Sequence, residues 1–308
     1  MLLVLGGATG TGKTGLSIEV AEAIAAAGGA AEVVNADAMQ LYRGMDIGTA
    51  KVPVRERRGV PHSCLDLWDV TETASVVRYR DAARTAIDQV LARGGVPMLV
   101  GGSGLYLEAV LRDLDFPGTD PDLRADLEQQ AEVLGGDALW RRLAEADPVA
   151  AHRIPSGNLR RVLRALEVVT LTGEPYAASL PDAAAWWRPA LRFTLEVERD
   201  RLAARLDARA RAMWAGGLLD EVRTLLPQGL ADGVTARRAV GYAQAIAVLQ
   251  GTSTVAEGVE ETIRLTWRVV RRQRSWFSRD EGAVALDGET PGNAARVVDA
   301  LEAAASDP

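Results

Sequence analysis

The stretch GATGTGKT, residues 7–14, constrains this chain more than any other. A short apolar run, residues 1–5, precedes it, and a helix-forming run, residues 16–27, follows. The spacing G-x-x-x-x-G-K-T is that of a loop that wraps an anion in its own backbone. Glycine at 7, 10 and 12 lets successive N–H groups turn inward. A helix starting near Thr14 adds its positive end. Lys13 adds a point charge, and the Thr14 hydroxyl is a ligand type for Mg2+. The candidate phosphate-binding element is thus Gly7, Ala8, Thr9, Gly10, Thr11, Gly12, Lys13 and Thr14. A strand before it and a helix after it start an α/β sheet.

The rest of the chain continues that pattern and then interrupts it. Residues 31–37 read as a second strand, 64–68 (CLDLW) as a possible third, and 96–100 (VPMLV) as a buried one. Helical spacing covers 76–93 and 105–112. Alternating strands and helices predict a P-loop NTPase-like parallel sheet covered on both faces. From about 117 the pattern is helical only, with helices expected at 122–134, 137–146 and 159–171. Residues 191–197 return to strand, followed by helices at 199–215, 218–226, 238–250 and 256–279. The expected organisation is an α/β core, 1–116 and 189–308, with an all-helical domain inserted at 117–188. The tail after Ala303 is expected to be loose.

Composition excludes several classes. The single cysteine, Cys64, allows no internal disulfide and no cysteine-rich zinc site. No apolar run approaches the ~18 residues of a membrane span. The start lacks the basic, long-apolar form of a signal peptide, so the expected location is cytoplasmic. The net charge of -7 argues against nucleic acid taken alone, but it is unevenly spread. Residues 281–308 hold six acids and one arginine, whereas 264–280 hold six arginines against Asp280. Arg153, Arg160, Arg161 and Arg164 form another unopposed cluster. The chain has two lysines, Lys13 and Lys51, and one of them sits in the phosphate loop. A compact ammonium fits between phosphates where a broad guanidinium does not.

A loop of this kind specifies polyphosphate, not ATP. A kinase or ATPase usually sets an acid on a core strand to organise Mg2+. VPMLVGGSG carries none, whereas the strand at 31–37 ends in Asp37. Ligands in such sheets sit at the carboxyl ends of strands, which brings Asp37 and Ser103 toward the anion of Lys13. Asp37 is then a magnesium ligand, a base toward an acceptor, or a helix cap.

Six stretches together resemble the tRNA isopentenyltransferase (tRNA dimethylallyltransferase) family: GGATGTGKT, NADAMQLYRGMDIGTAK (35–51), PMLVGGSGLYLEA (97–109), RRVLRALEV (160–168), RRAVGYAQA (237–245) and RRQRSWF (271–277). They run from residue 6 to 277. The resemblance implies transfer of a dimethylallyl group from dimethylallyl pyrophosphate to N6 of the adenosine 3′ of the anticodon, in tRNAs that read codons starting with U. The loop would then hold a pyrophosphate leaving group. By the same resemblance Asp37 is the catalytic base, Arg209 stabilises charge near the pyrophosphate, and Ser103 replaces the usual threonine. The family's tRNA-contacting regions correspond to Asp37, Ala38, Met39 and Gln40, to Arg160, Arg161 and Arg164, and to Arg238, Gly241 and Tyr242. Ser103 and Arg124 are further tRNA candidates. Ala243 departs from the arginine of the commoner form VGYRQ.

At 100° per residue, Arg264, Arg268 and Arg271 share one helical face, with Leu265, Val269, Trp276 and Phe277 roughly opposite. Such a stripe is either a solvated face or a surface for an anionic partner, the anticodon stem-loop on the family reading. Trp267 is a core residue or a base-stacking one. The expected partners are tRNA and dimethylallyl pyrophosphate, with Mg2+ as cofactor and a monomer as the working unit. A small-molecule P-loop kinase, ATP-binding, and a noncatalytic nucleotide-binding module share the loop and remain alternatives.

Overall fold

A computed structural model describes residues 1–176 and 184–306. Strand β1 (Leu2–Gly7) enters the phosphate loop and helix α1 (Lys13–Ala26) leaves it. Then come β2 (Ala31–Asn35), β3 (His62–Ser63), α2 (Val76–Ala92), β4 (Val96–Gly101) and α3 (Gly104–Leu111). Four helices follow in the described part of the next segment: α4 (Pro121–Leu134), α5 (Gly136–Ala146), α6 (Pro148–Arg153) and α7 (Leu159–Thr172). The chain returns through β5 (Ala190–Glu196), α8 (Arg199–Ala215), α9 (Leu218–Leu225), α10 (Tyr242–Leu249), α11 (Val255–Phe277), β6 (Val284–Asp287) and α12 (Asn293–Ser306).

Among the described residues the strands form one parallel sheet in the order β3-β2-β4-β1-β5-β6. The fold is α/β, as the alternation of elements requires. Strand β1 is buried along its whole length, the mark of a central parallel strand. Its period of two divides it between two cores. Leu2 and Val4 join Val34, Leu99, Tyr79 and Tyr242 on one face. Leu3 and Leu5 join Met98, Phe193, Leu286 and the α1 and α12 residues Val20 and Val297 on the other. Each such side chain contributes about 1.5–3 kcal/mol of burial. The register sets Gly6 opposite both Gly101 and Thr194. The loops leaving β1, β4 and β5 therefore start level with one another.

Two compact units emerge: Met1–Arg112 with Trp186–Pro308, and Asp113–Ala185. The chain leaves the first at Arg112 and re-enters at Trp186, and these two residues pair in a bridge. The second unit has its own core, including Leu127, Leu139, Leu143, Ile154, Val162 and Leu166. Residues 177–183, within the segment read as an insertion, lie outside the described residues.

Three local expectations fail, and one strand goes unforeseen, for identifiable reasons. Residues 64–68 are not a strand, because Cys64 and Asp66 have φ of 57° and 56°. Asn35 Nδ2 donates to the Cys64 carbonyl (2.9 Å) and Lys51 Nζ to Asp66 Oδ1 (2.6 Å), holding the chain in that bend. The helix expected over 238–250 is broken at Gly241, whose φ of 92° leaves a single turn at Ala236–Arg238 before α10. Strand β6 escapes notice because Leu286 is its one buried residue. The tail after Ala303 continues α12 to Ser306, and residues 307–308 are outside the described residues.

Candidate active site

The phosphate loop is closed on itself. The Ala8 carbonyl accepts from Lys13 Nζ at 2.7 Å and from Thr11 Oγ1 at 2.9 Å. Gly12, with φ of 95°, turns the chain into α1. Burial of the Lys13 ammonium lowers its pKa to about 8, against an upward pull from Asp37 and a further downward push from Arg209. Burial also lowers the Arg209 pKa, opposed by Asp37. Asp37, just past β2, thus lies within electrostatic range of two cations, Lys13 on α1 and Arg209 on α8.

Asp37 stands just past β2. Its N–H donates to Asn35 Oδ1 (3.2 Å), and its Oδ1 receives the Met39 N–H (2.9 Å). The carboxylate caps its own turn with one oxygen and keeps Oδ2 for another partner. Ser103 ties this turn to the loop after β4. Its Oγ accepts the Ala38 N–H at 3.1 Å and its N–H donates to the Ala36 carbonyl at 3.3 Å. Arg209 Nη2 donates to the Thr49 carbonyl at 3.3 Å, and Gln40 Nε2 donates to the same oxygen at 3.1 Å. The structure therefore gathers Lys13, Asp37, Ser103 and Arg209, which lie far apart in the chain, at one end of the sheet.

The family description "IPP transferase" matches residues 40–280. A protein from Clavibacter sepedonicus named tRNA dimethylallyltransferase is 55% identical over 299 residues, spanning 97% of each chain. The chain belongs to the IPP transferase family. The crystal structure of the full-length tRNA isopentenylpyrophosphate transferase from Bacillus halodurans is 35% identical, with a TM-score of 0.69 over 99% of this chain and 95% of that one. That of the tRNA delta(2)-isopentenylpyrophosphate transferase from Staphylococcus epidermidis is 29% identical, with a TM-score of 0.70 over 100% and 99%.

In this IPP transferase family member the residues of Met45–Lys51 form a scaffold for Arg209. Lys51 is buried, and its ammonium donates to the Tyr42 carbonyl (2.9 Å), Asp46 (2.6 Å) and Asp66 (2.6 Å). The Glu221 carboxylate receives the N–H groups of Asp46 (3.1 Å), Ile47 (2.7 Å) and Gly48 (3.3 Å), and the Tyr242 hydroxyl donates to it. Tyr242 is fully buried. Its ring packs on Gly48 and its hydroxyl donates to Glu221, so its side chain serves the loop beside the site. Gly241 is buried beside it.

The other nucleic-acid candidates divide. Ala38, Met39 and Gln40 line the accessible turn after Asp37, and Arg238 is exposed. Arg160 and Arg161 are exposed in the first turn of α7. Arg124 and Arg164 are instead engaged within the helical unit. Glu167, 2% exposed, accepts from Arg164 at 2.9 Å, has Arg124 at 3.8 Å, and receives the Asp120 N–H at 3.2 Å. Arg164 also donates to the carbonyls of Pro117 and Gly118. Along α11, Arg264, Arg268, Arg271, Arg272, Arg274 and Arg279 (just past its end) are exposed, and Arg264 pairs with Glu261. The buried face of α11 includes Thr262, Val270 and Phe277, not Leu265 and Val269. Trp267 packs against the cluster of Ala8, Val197 and Val270.

Among the described residues no group of three or more His, Cys, Asp or Glu side chains could hold a metal ion. The donors near the loop are the Thr14 hydroxyl, exposed in the first turn of α1, and Asp37. That set fits a hard cation bridged through phosphate oxygens better than a protein-caged one. Among the described residues no helix is long and apolar enough to cross a membrane. Sequence reasoning missed Glu221 and Gln273. Gln273 accepts the Thr9 N–H; it lies within RRQRSWF, one of the six stretches of the resemblance, but nothing there singles it out, and Glu221 lies in none of them.

Proposed function

We propose that this chain transfers a dimethylallyl group from dimethylallyl pyrophosphate to N6 of a tRNA adenosine, the one 3′ of the anticodon in tRNAs reading U-starting codons, and releases pyrophosphate. The observation that carries this reading is the meeting of Lys13 and Arg209 with a single carboxylate, Asp37, beside a phosphate loop in an IPP transferase family member.

The chemistry follows from charge. Breaking the allylic C–O bond sends its electron pair to the pyrophosphate. Loop N–H groups, Lys13 and Arg209 meet that developing charge, and preorganised donors of this kind contribute on the order of 3 kcal/mol each. The N6 amine is a weak nucleophile, its lone pair delocalised into the ring. As the N6–C bond forms, Asp37 takes the departing proton through Oδ2. Ser103, with Ala38 on its oxygen, keeps its hydroxyl hydrogen for the acceptor or the donor phosphate. The Thr14 hydroxyl and pyrophosphate oxygens would hold Mg2+, which when bound neutralises phosphate charge. The adenosine leaves its stack to reach Asp37. Arg238 and the exposed α11 arginines supply phosphate contacts to the anticodon stem-loop, and Arg160 and Arg161 of the helical unit offer phosphate contacts of their own to the tRNA. The protein works as a monomer in the cytoplasm, where its tRNA substrate is available. Strand β4 ends in Gly101 and is followed by no acid, and nothing favours the kinase alternative.

Labelled dimethylallyl pyrophosphate and undermodified tRNA, incubated without ATP, test the proposal. Label entering tRNA is the expected result. No label, with ATP turnover instead, overturns it.

A further inference from the structure

One side chain spans the phosphate loop and the loop after β4. Gln273, on α11, accepts the Thr9 N–H at Oε1 (2.9 Å) and donates from Nε2 to the Gly102 carbonyl (2.9 Å). Its orientation follows from its partners, since the flipped amide would set donor against donor and acceptor against acceptor. The Gln273 amide sits against Gly102, where a Cβ would lie 2.6 Å from Nε2 and 3.2 Å from the Gly7 carbonyl. Trp276 and Phe277, in the next turn, fit as tightly against Gly104 and Gly6.

Gly102 precedes Ser103, whose backbone and side chain hold Ala36 and Ala38 on either side of Asp37. A chain of hydrogen bonds and single peptide links thus runs from Thr9 through Gln273 and Ser103 to the Asp37 turn. The neighbours Arg272 and Arg274 are exposed, whereas Gln273 between them is part-buried.

We propose that Gln273 is a positioning residue that sets the spacing between the loop holding the leaving pyrophosphate and the Ser103–Asp37 turn receiving the acceptor. This rests on the function proposed above. In such a displacement the attacking and leaving atoms must be aligned, and a misplacement of about 1 Å costs about a hundredfold in rate. Glutamine offers one acceptor and one donor in the order the two backbones demand. Ionised glutamate offers acceptors only, and protonated glutamic acid regains the donor.

Gln273→Glu and Gln273→Leu, in the full-length protein, test this. Inorganic pyrophosphate binding is measured by calorimetry, and transfer by kcat and KM against pH. Both variants should lose about tenfold or more in kcat near pH 8 while the pyrophosphate Kd changes by less than about threefold. Relative to wild type at each pH, the glutamate variant should recover as pH falls toward about 5.5, because a carboxyl facing a carbonyl titrates above its ordinary range, and the leucine variant should not. A flat pH ratio for the glutamate variant, or wild-type kcat in the leucine variant, overturns the proposal. If the wild-type protein itself binds no pyrophosphate, the reading of the loop fails and the positioning role with it. Wild-type binding with unchanged variants overturns the positioning role alone.

Discussion

Tyr242 donates its hydroxyl to Glu221, and the Glu221 carboxylate in turn holds three consecutive backbone N–H groups, of Asp46, Ile47 and Gly48. That carboxylate fills a nest that could otherwise hold an anion. Next along the chain, the Thr49 carbonyl fixes Arg209. The pair therefore acts on the site through a loop and not by contact.

Tyr242→Phe preserves the ring against Gly48 and removes one hydrogen bond to a charged group. It should lower stability by about 1.5–3 kcal/mol, by thermal or chemical unfolding. Glu221→Ala leaves three N–H groups unpaired and should cost more, with a larger drop in kcat as Arg209 loses its anchor. Equal, negligible effects on kcat from both variants would show that the loop does not steer Arg209.

Asp37→Asn keeps the size of the side chain and its cap on Met39 but abolishes proton acceptance. Transfer should fall by about a hundredfold or more, with pyrophosphate binding retained. Normal turnover by this variant would remove Asp37 as the base.

Lys13 gives a pH dependence with a defined sign. Its pKa in the folded protein, about 8, is below the value of roughly 10.4 for a free lysine. The buried ammonium thus costs stability below about pH 8, and that cost fades as pH rises from there toward 10.4. Bound pyrophosphate supplies the missing counter-charge, so binding above pH 8 takes up a proton and weakens as pH rises. Calorimetry in two buffers of different ionisation heat should show this uptake in the wild type and less of it in Lys13→Met. Identical proton uptake by the two proteins would contradict the assignment.

Within the helical unit, Arg160 and Arg164 should respond oppositely. Arg160→Ala should flatten the log–log salt dependence of tRNA binding by about 0.7 to 0.9. Arg164→Ala should leave that slope nearly intact and lower the unfolding temperature, because Glu167 loses its nearest cation. An unchanged slope for Arg160→Ala would remove that contact.

The fold was legible wherever local pattern carried it. The loop at 7–14 is written in adjacent residues, and β1, β2 and β4 are apolar runs with clear ends. Residues 64–68 misled because their apolar alternation reflects burial around the Lys51 ion pairs, not a strand. Asp37, Ser103 and Arg209 were reached through the resemblance and the rule that ligands sit at strand ends. Gln273 stands in the quoted stretch RRQRSWF, but its role was beyond reach because its partners lie 264 and 171 residues away. Glu221 was hidden for the same reason, 174 residues from Ile47. Arg124 and Arg164 looked like free surface charge because Glu167, their common partner, becomes buried only when α4 and α7 pack.

The two lysines carry a practical consequence. Lys51 is sealed, its side chain 4% exposed and its ammonium held by two carboxylates. Lys13 is half-buried as a residue, and burial of its ammonium lowers its pKa to about 8, which leaves much of it as the free amine at mildly alkaline pH. On a surface whose other strong bases are arginines, an acylating reagent meets one reactive side-chain amine, and that amine stands in the phosphate loop. Among lysine side chains, labelling that pyrophosphate protects then becomes a footprint of the phosphate loop.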